Sequence, residues 1–134
     1  MRAVLDPNVL IAALLSPRGA PAQIVSRWLA GEFELVISES LLTELERSLT
    51  YPKLRSRIAA EDATGFVALL RDGAVLASDP AAIPRRSADR GDDYLLALAE
   101  SERAVLVSGD RQLLDLADKL PIRTPREFAD ALST

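Results

Sequence analysis

Four acidic residues that are far apart in the chain are the strongest candidates for chemistry: Asp6, Glu44, Asp92 and Asp110. Asp6 follows the mostly apolar run 2–5 and precedes Pro7, which lacks an amide donor and therefore stops a strand. Asp110 follows a second apolar run, 104–107, and a Ser-Gly pair. Carboxylate oxygens that converge on one point bind hard divalent cations such as Mg²⁺, Mn²⁺ or Ca²⁺.

The composition restricts any chemistry to carboxylates. The 134 residues include no cysteine and no histidine, which excludes thiolate nucleophiles, cysteine zinc sites, imidazole ligands and the usual general base. The formal net charge of −4 argues against a nucleic-acid binder that relies on bulk positive charge, although it does not exclude a nuclease. No apolar stretch has the roughly 18 residues of a membrane span, so we expect a cytoplasmic protein.

Strands and helices alternate along the predicted chain. Apolar runs predict strands at 2–5, 33–37, 74–77, 104–107 and 121–123. Helical spacing predicts helices at 8–15, 21–30, 38–49, 60–71, 92–102, after 110 and 125–132, with a long loop over 78–91. Strands that alternate with helices pair in parallel through right-handed crossovers, which covers both faces of the sheet. We therefore expect one α/β domain over residues 1–134.

The predicted topology brings the acidic residues together. In a parallel sheet, the carboxyl ends of the strands and the amino ends of the following helices share one edge, where ligands bind. Helical projection turns Asp92 toward the buried face of its helix and Asp93 away from it. The same projection does not choose between Glu44 and Glu46, because both flank the apolar stripe of their helix.

Each acidic residue also has a purely structural explanation. Asp6 and Asp110 suit turns or helix N-caps, Asp92 suits a helix amino terminus, and Glu44 suits a solvated helix flank. Together, however, inward carboxylates without a cation cost several kcal/mol through desolvation and mutual repulsion. A divalent cation offsets both terms, so the set as a whole favours a metal site.

Several sequence blocks in this order resemble those of PIN-domain ribonucleases, and the resemblance covers nearly the whole chain. The blocks are Val4-Leu5-Asp6-Pro7-Asn8-Val9-Leu10, Leu35-Val36-Ile37-Ser38 with Leu42-Thr43-Glu44-Leu45, Asp92 to Ala99, and Leu106-Val107-Ser108-Gly109-Asp110. The chain is most similar to the PIN proteins described as toxin components of bacterial toxin–antitoxin systems (VapC-like). Residues 52–54 and 124–128 are similar to theirs as well.

The resemblance implies a three-layer α/β/α sandwich with a central parallel sheet of about five strands and a Rossmann-like topology. It implies a metal-dependent endoribonuclease with Mg²⁺ or Mn²⁺ held by Asp6, Asp92 and Asp110. It also selects Glu44 over Glu46 as the fourth catalytic acid. Polar companions in the site would be Asn8, Ser108 and Asp93. The implied partners are an RNA substrate, a small antitoxin protein and a second copy of the chain in a homodimer.

Two positions depart from the family pattern. Pro7 replaces a small hydroxylated residue, and Gly91 replaces a further acid that close relatives often carry. An aspartyl phosphatase is a weaker interpretation, because such enzymes need a second acid where this chain has Asn8. The stronger alternative is a catalytically inactive PIN-like module that binds RNA or protein.

Overall fold

The computed structural model describes residues 1–81, 83 and 92–133. Its strands are β1 (Arg2–Leu5), β2 (Glu34–Ile37), β3 (Val75–Leu76), β4 (Val105–Val107) and β5 (Ile122–Arg123). Its helices are α1 (Pro7–Leu15), α2 (Ala20–Leu29), α3 (Glu39–Leu49), α4 (Pro52–Arg55), α5 (Ala60–Gly73), α6 (Asp93–Ser101), α7 (Arg111–Leu114) and α8 (Pro125–Leu132).

The strands form one five-stranded sheet in the order β3-β2-β1-β4-β5, and every neighbouring pair is parallel. In the central strand β1, Ala3 is in register with Leu35 on one side and Val105 on the other. This architecture confirms the predicted α/β fold. The carboxyl ends of the strands therefore lie along one edge.

Both faces of the sheet are covered. Ala3, Val4 and Leu5 are each 0% exposed, and successive side chains in a strand point to opposite faces. Helix α6 packs against β1 and β4, while α1 contacts α2 and α3, and α2 contacts α8. The core is almost entirely aliphatic, and its aromatic members include Phe33 and Phe128, whose rings meet edge to face with centroids 5.2 Å apart.

Side-chain caps fix where the helices begin at this edge. Asp6 is the N-cap of α1 and Pro7 occupies its first helical position, where no amide donor is needed. Pro7 is thus compatible with the local structure despite its departure from the family pattern. Ser38 caps α3, and Thr124 forms the predicted capping box with Glu127 at the start of α8.

Some boundaries differ from the prediction. The break expected at Tyr51-Pro52 is followed by the short helix α4, because proline at a first helical position starts a helix as readily as it ends the preceding one. The helix expected after Asp110 has only four residues, and turns follow it. Most of the segment predicted as a loop over 78–91, with Gly91, lies outside the described residues.

Among the described residues, no single helix combines the length and apolar composition of a membrane span. Helices α1 and α2 meet those criteria only when they are taken together, across a bend of 98°.

Candidate functional site

Asp6 lies at the carboxyl end of the central strand and is only 4% exposed. Its Oδ1 accepts a hydrogen bond from the backbone N–H of Asn8 at 2.9 Å, which caps α1. Its Oδ2 accepts a hydrogen bond from the Ser108 hydroxyl at 2.8 Å. A carboxylate has about four lone-pair sites, so these two bonds leave acceptor capacity on both oxygens.

Ser108 connects the first and last acidic residues of the predicted set. It is fully buried directly after β4, and its Oγ accepts a hydrogen bond from the backbone N–H of Asp110 at 3.0 Å. Asp110 in turn accepts a hydrogen bond from the backbone N–H of Gln112 at 2.9 Å and caps α7. One hydroxyl therefore orients Asp6 and the backbone of Asp110 at the same time.

The electrostatics of Asp6 show that other acidic residues are close. Burial raises the pKa of Asp6 above its ordinary value, and the bonds from Asn8 and Ser108 counteract this rise. The negative charges of Glu44 and Asp110 raise that pKa further. The structure thus brings Asp6, Glu44 and Asp110 to one edge of the sheet. We call this carboxyl edge the acidic edge. It includes Asp6, Glu44 and Asp110, and also Asp92, the N-cap of α6, whose charge acts together with those of Glu44 and Asp6 on Tyr94.

Glu44 and Glu46, which helical periodicity could not separate, have different environments. Glu44 is half-buried, and its Oε2 accepts a hydrogen bond from the hydroxyl of Tyr94. Glu46 is exposed on α3, where its Oε1 lies 3.7 Å from the Arg71 guanidinium. Of these two glutamates, Glu44 is the one whose negative charge raises the pKa of Asp6, so the structure places Glu44 rather than Glu46 near that carboxylate.

Tyr94 is a member of the site that the sequence analysis missed. Burial, the hydrogen bond to Glu44 and the charges of Glu44, Asp6 and Asp92 all raise its pKa above the ordinary value of 10.0. The hydroxyl therefore keeps its proton and acts as a donor. A tyrosine immediately after the paired aspartates was visible in the sequence, but its partner lies 50 positions away.

The predicted orientation of Asp93 is wrong. Asp93 is only 3% exposed, whereas Asp92 is half-buried with its Oδ2 shielded from solvent. Projection onto a single buried face fails here because α6 is enclosed on most sides: Asp93, Leu95, Leu96, Ala97, Leu98 and Ala99 are all buried. Both aspartates therefore lie at the amino end of α6 and are at least partly shielded from solvent.

The acidic edge supplies donors of the right type for Mg²⁺ or Mn²⁺ but is not a closed metal site. Among the described residues, no three acidic side chains are close enough together to hold an ion. Yet in the same part of the chain, Asp6, Glu44 and Asp110 form no ion pair with arginine or lysine. Within that described part, Asp6, Glu44 and Asp110 thus bring negative charge together without an ion-pair partner, and oxygen-only donors match the preference of hard cations.

An open cavity of about 390 Å³ adjoins the acidic edge. Asn8 and Asp110 form its polar side, and the remaining walls are Val9, Ala12, Pro21, Gly109 and Pro125. A ligand could therefore reach Asp110 from solvent without any movement of the sheet.

We expect Ser108→Ala to lower the free energy of unfolding by about 1–3 kcal/mol, because it removes a buried donor to Asp6 and an acceptor for the Asp110 amide. Urea denaturation at neutral pH measures the change. The matched control is Ser56→Ala, which removes an exposed hydroxyl bonded to the Lys53 carbonyl at 2.9 Å and should change stability by no more than about 0.5 kcal/mol. Equal losses in the two variants would contradict the structural role of Ser108.

The protein is thus a parallel α/β domain that carries a group of acidic residues at the carboxyl ends of its central strands. Residues 2–112 match the PIN domain family, and the chain belongs to that family. An uncharacterized protein from Methanocaldococcus jannaschii is 25% identical over 140 residues, which cover 97% of this chain and 90% of that protein.

Solved structures with low sequence identity share this fold. PAE2754 from Pyrobaculum aerophilum superposes with a TM-score of 0.66 at 20% identity, covering 99% of this chain and 90% of that one. VapBC2 from Rickettsia felis, solved with a DNA fragment from their promoter, gives a TM-score of 0.63 at 15% identity, covering 92% of this chain and 98% of the matched one.

Proposed function

We propose that this chain is a Mg²⁺- or Mn²⁺-dependent endoribonuclease that hydrolyses RNA phosphodiester bonds as the toxin of a toxin–antitoxin pair. Membership of the PIN domain family and the fold shared with VapBC2 support this proposal. The observation that carries it is the buried Asp6, beside Glu44 and Asp110, without a basic partner among the described residues.

We assign metal binding to Asp6, Asp92 and Asp110. Their oxygens are hard ligands, and the hydrogen bonds from Ser108 and from the Asn8 amide hold Asp6 in place while leaving lone pairs available. The acidic side chains repel one another, and a cation bound between them would offset that repulsion.

Glu44 is the fourth catalytic residue in this proposal. It is half-buried beside Asp6, so it can complete the ligand set or orient the attacking water. Asn8, Ser108 and Asp93 would orient the metal-binding carboxylates without binding the ion themselves. The bound cation would supply water activation and neutralise charge on the leaving oxygen. With no histidine in the chain, the carboxylates are the groups that can accept a proton.

We also propose a small antitoxin partner and a homodimer. Rickettsia felis VapBC2 has this fold, which supports a partner protein for this chain. A partner that covered the acidic edge with an arginine would compensate its negative charge through charge-assisted hydrogen bonds and so inhibit it. The same proposal places the protein in the cytoplasm, where its RNA substrate is found.

Chelation provides the direct test of the proposed function. Purified protein is incubated with total cellular RNA, and the 5′ ends are mapped with Mg²⁺, with Mn²⁺ and with excess chelator. We expect discrete new ends with either metal, none with chelator, and recovery when metal is restored in excess, because the carboxylates alone provide no electrophile.

Matched single-stranded DNA in the same assay tests the preference for RNA. Cleavage that persists in chelator would contradict metal dependence. Bound but uncleaved RNA would instead support the catalytically inactive PIN-like module.

A further inference from the structure

Tyr94 connects two elements that are remote in sequence at the acidic edge. It lies in the first turn of α6, is half-buried, and donates its hydroxyl hydrogen bond to Oε2 of Glu44 on α3. Its hydroxyl also lies within range of the charges of Asp6 and Asp92. The phenol therefore bonds directly to Glu44, and the charges of two other acidic residues of the edge also act on it.

This contact bears directly on the orientation of the Glu44 side chain. Within the described parts of the chain, Tyr94 is the hydrogen-bond partner found for the Glu44 side chain, and no basic residue pairs with it. A glutamate side chain has several rotatable bonds and adopts many rotamers unless a partner holds it. Glu39 and Glu46 on the same helix illustrate the alternative, since both turn outward to Arg71.

We propose that Tyr94 is a positioning residue that holds the Glu44 carboxylate at the acidic edge. This inference rests on the proposed catalytic role of Glu44. A neutral phenol is suited to the task, because it orients a carboxylate without neutralising it, whereas an arginine would cancel the charge that a cation requires. The bond uses Oε2, which leaves Oε1 for a metal ion or water.

The Tyr94–Glu44 hydrogen bond also connects helix α6 to helix α3. Tyr94 is two residues after Asp92, so the start of α6 carries both a proposed metal ligand, at the N-cap, and the group that bonds to Glu44. Removal of the hydroxyl should therefore release Glu44 while leaving the aromatic ring and the backbone of Asp92 in place. Supporting groups of this kind typically change metal affinity or activity by about 10–100-fold.

A double-mutant cycle with Tyr94→Phe and Glu44→Gln tests the inference. Mn²⁺ affinity is measured by titration, and RNA cleavage is resolved into kcat and KM. We expect Tyr94→Phe alone to weaken Mn²⁺ binding and to lower kcat by about 10-fold or more, with little change in KM. In the Glu44→Gln background, the same substitution should change either quantity less than about 2-fold, because no carboxylate remains to be positioned. Equal effects in both backgrounds would overturn the inference.

Crystal structures of the wild type and Tyr94→Phe provide a readout that does not depend on activity. We expect the Glu44 carboxylate to leave its wild-type position in the variant, and an unchanged carboxylate would overturn the positioning role. Tyr51→Phe, which alters a tyrosine that is 51% exposed, is the matched control and should behave as wild type. If the wild type neither binds Mn²⁺ nor cleaves RNA, the proposed function fails, while the two crystal structures still decide the role of Tyr94.

Discussion

Asp6→Asn should abolish RNA cleavage while making the metal-free protein more stable at neutral pH. Removal of a proposed ligand should reduce cleavage by more than about 100-fold, since groups that merely support a ligand already cost 10–100-fold. Asparagine can keep the hydrogen bonds to the Asn8 amide and to Ser108 Oγ, so the fold should persist. It eliminates the buried charge whose desolvation raises the pKa of Asp6.

The sign of the stability change depends on pH. A carboxyl group whose pKa is raised in the folded state stabilises the fold at low pH, and that contribution is lost as the pH rises through its folded-state pKa. The variant and the wild type should therefore have similar melting temperatures below about pH 4, and the variant should melt higher at neutral pH. Saturating Mg²⁺ should stabilise the wild type and leave the variant unchanged, because only a folded protein that binds the ion gains from it.

The control for this variant is Asp130→Asn, which removes an exposed carboxylate on α8. Asp130→Asn should cleave RNA as the wild type does. Its melting temperature should not rise above that of the wild type at neutral pH. Wild-type cleavage by Asp6→Asn would contradict the assignment of Asp6 as a ligand. A lower melting temperature of the metal-free variant at neutral pH would contradict the electrostatic account of its burial.

Phe128→Ala should lower the free energy of unfolding by about 3–5 kcal/mol, the usual range for truncation of a buried phenylalanine. Phe128 is 1% exposed, and its ring packs edge to face on Phe33 just before β2. The substitution leaves a cavity that the aliphatic neighbours cannot fill without moving the sheet. For a chain of this size, the melting temperature should fall by roughly 10–20 °C.

Thermal and urea denaturation of Phe128→Ala measure this loss. The matched control is Leu29→Ala, whose side chain on α2 is 56% exposed and should contribute no more than about 0.5 kcal/mol. A loss below about 1 kcal/mol in Phe128→Ala would contradict the packing of α8 against the sheet. Because Phe128 lies away from the acidic edge, the folded variant should still bind Mn²⁺ as the wild type does.

The general fold was predictable because its signals are local. Apolar runs between helical patterns predicted the strands, and their alternation with helices predicted parallel pairing through right-handed crossovers. Parallel pairing puts the carboxyl ends of the strands on one edge of the sheet, which is where Asp6 and Asp110 were expected. The capping box at Thr124 was predicted from four consecutive residues and is present in the structure. Helix α4 was missed because Pro52 signals both the end of one helix and the start of another.

The environment of each acidic side chain was less predictable. Asp93 was expected at the surface, but α6 is buried on most sides, so periodicity could not identify a solvent face. Helical periodicity did not choose between Glu44 and Glu46, because both flank the apolar stripe of α3. The structure distinguishes them: Glu44 is half-buried and bonds to Tyr94, whereas Glu46 is exposed and lies near Arg71.

The sequence alone determined the class of fold, the restriction to carboxylate chemistry and the order in which the acids appear. These properties follow from residue types and short-range spacing, which act within a single strand or helix. Only the tertiary structure decided that Ser108 joins Asp6 to Asp110, that Asp93 is buried, and that Tyr94 holds Glu44. The Asp6–Ser108 and Glu44–Tyr94 bonds join residues 102 and 50 positions apart, so they form only when the elements that carry these residues pack together.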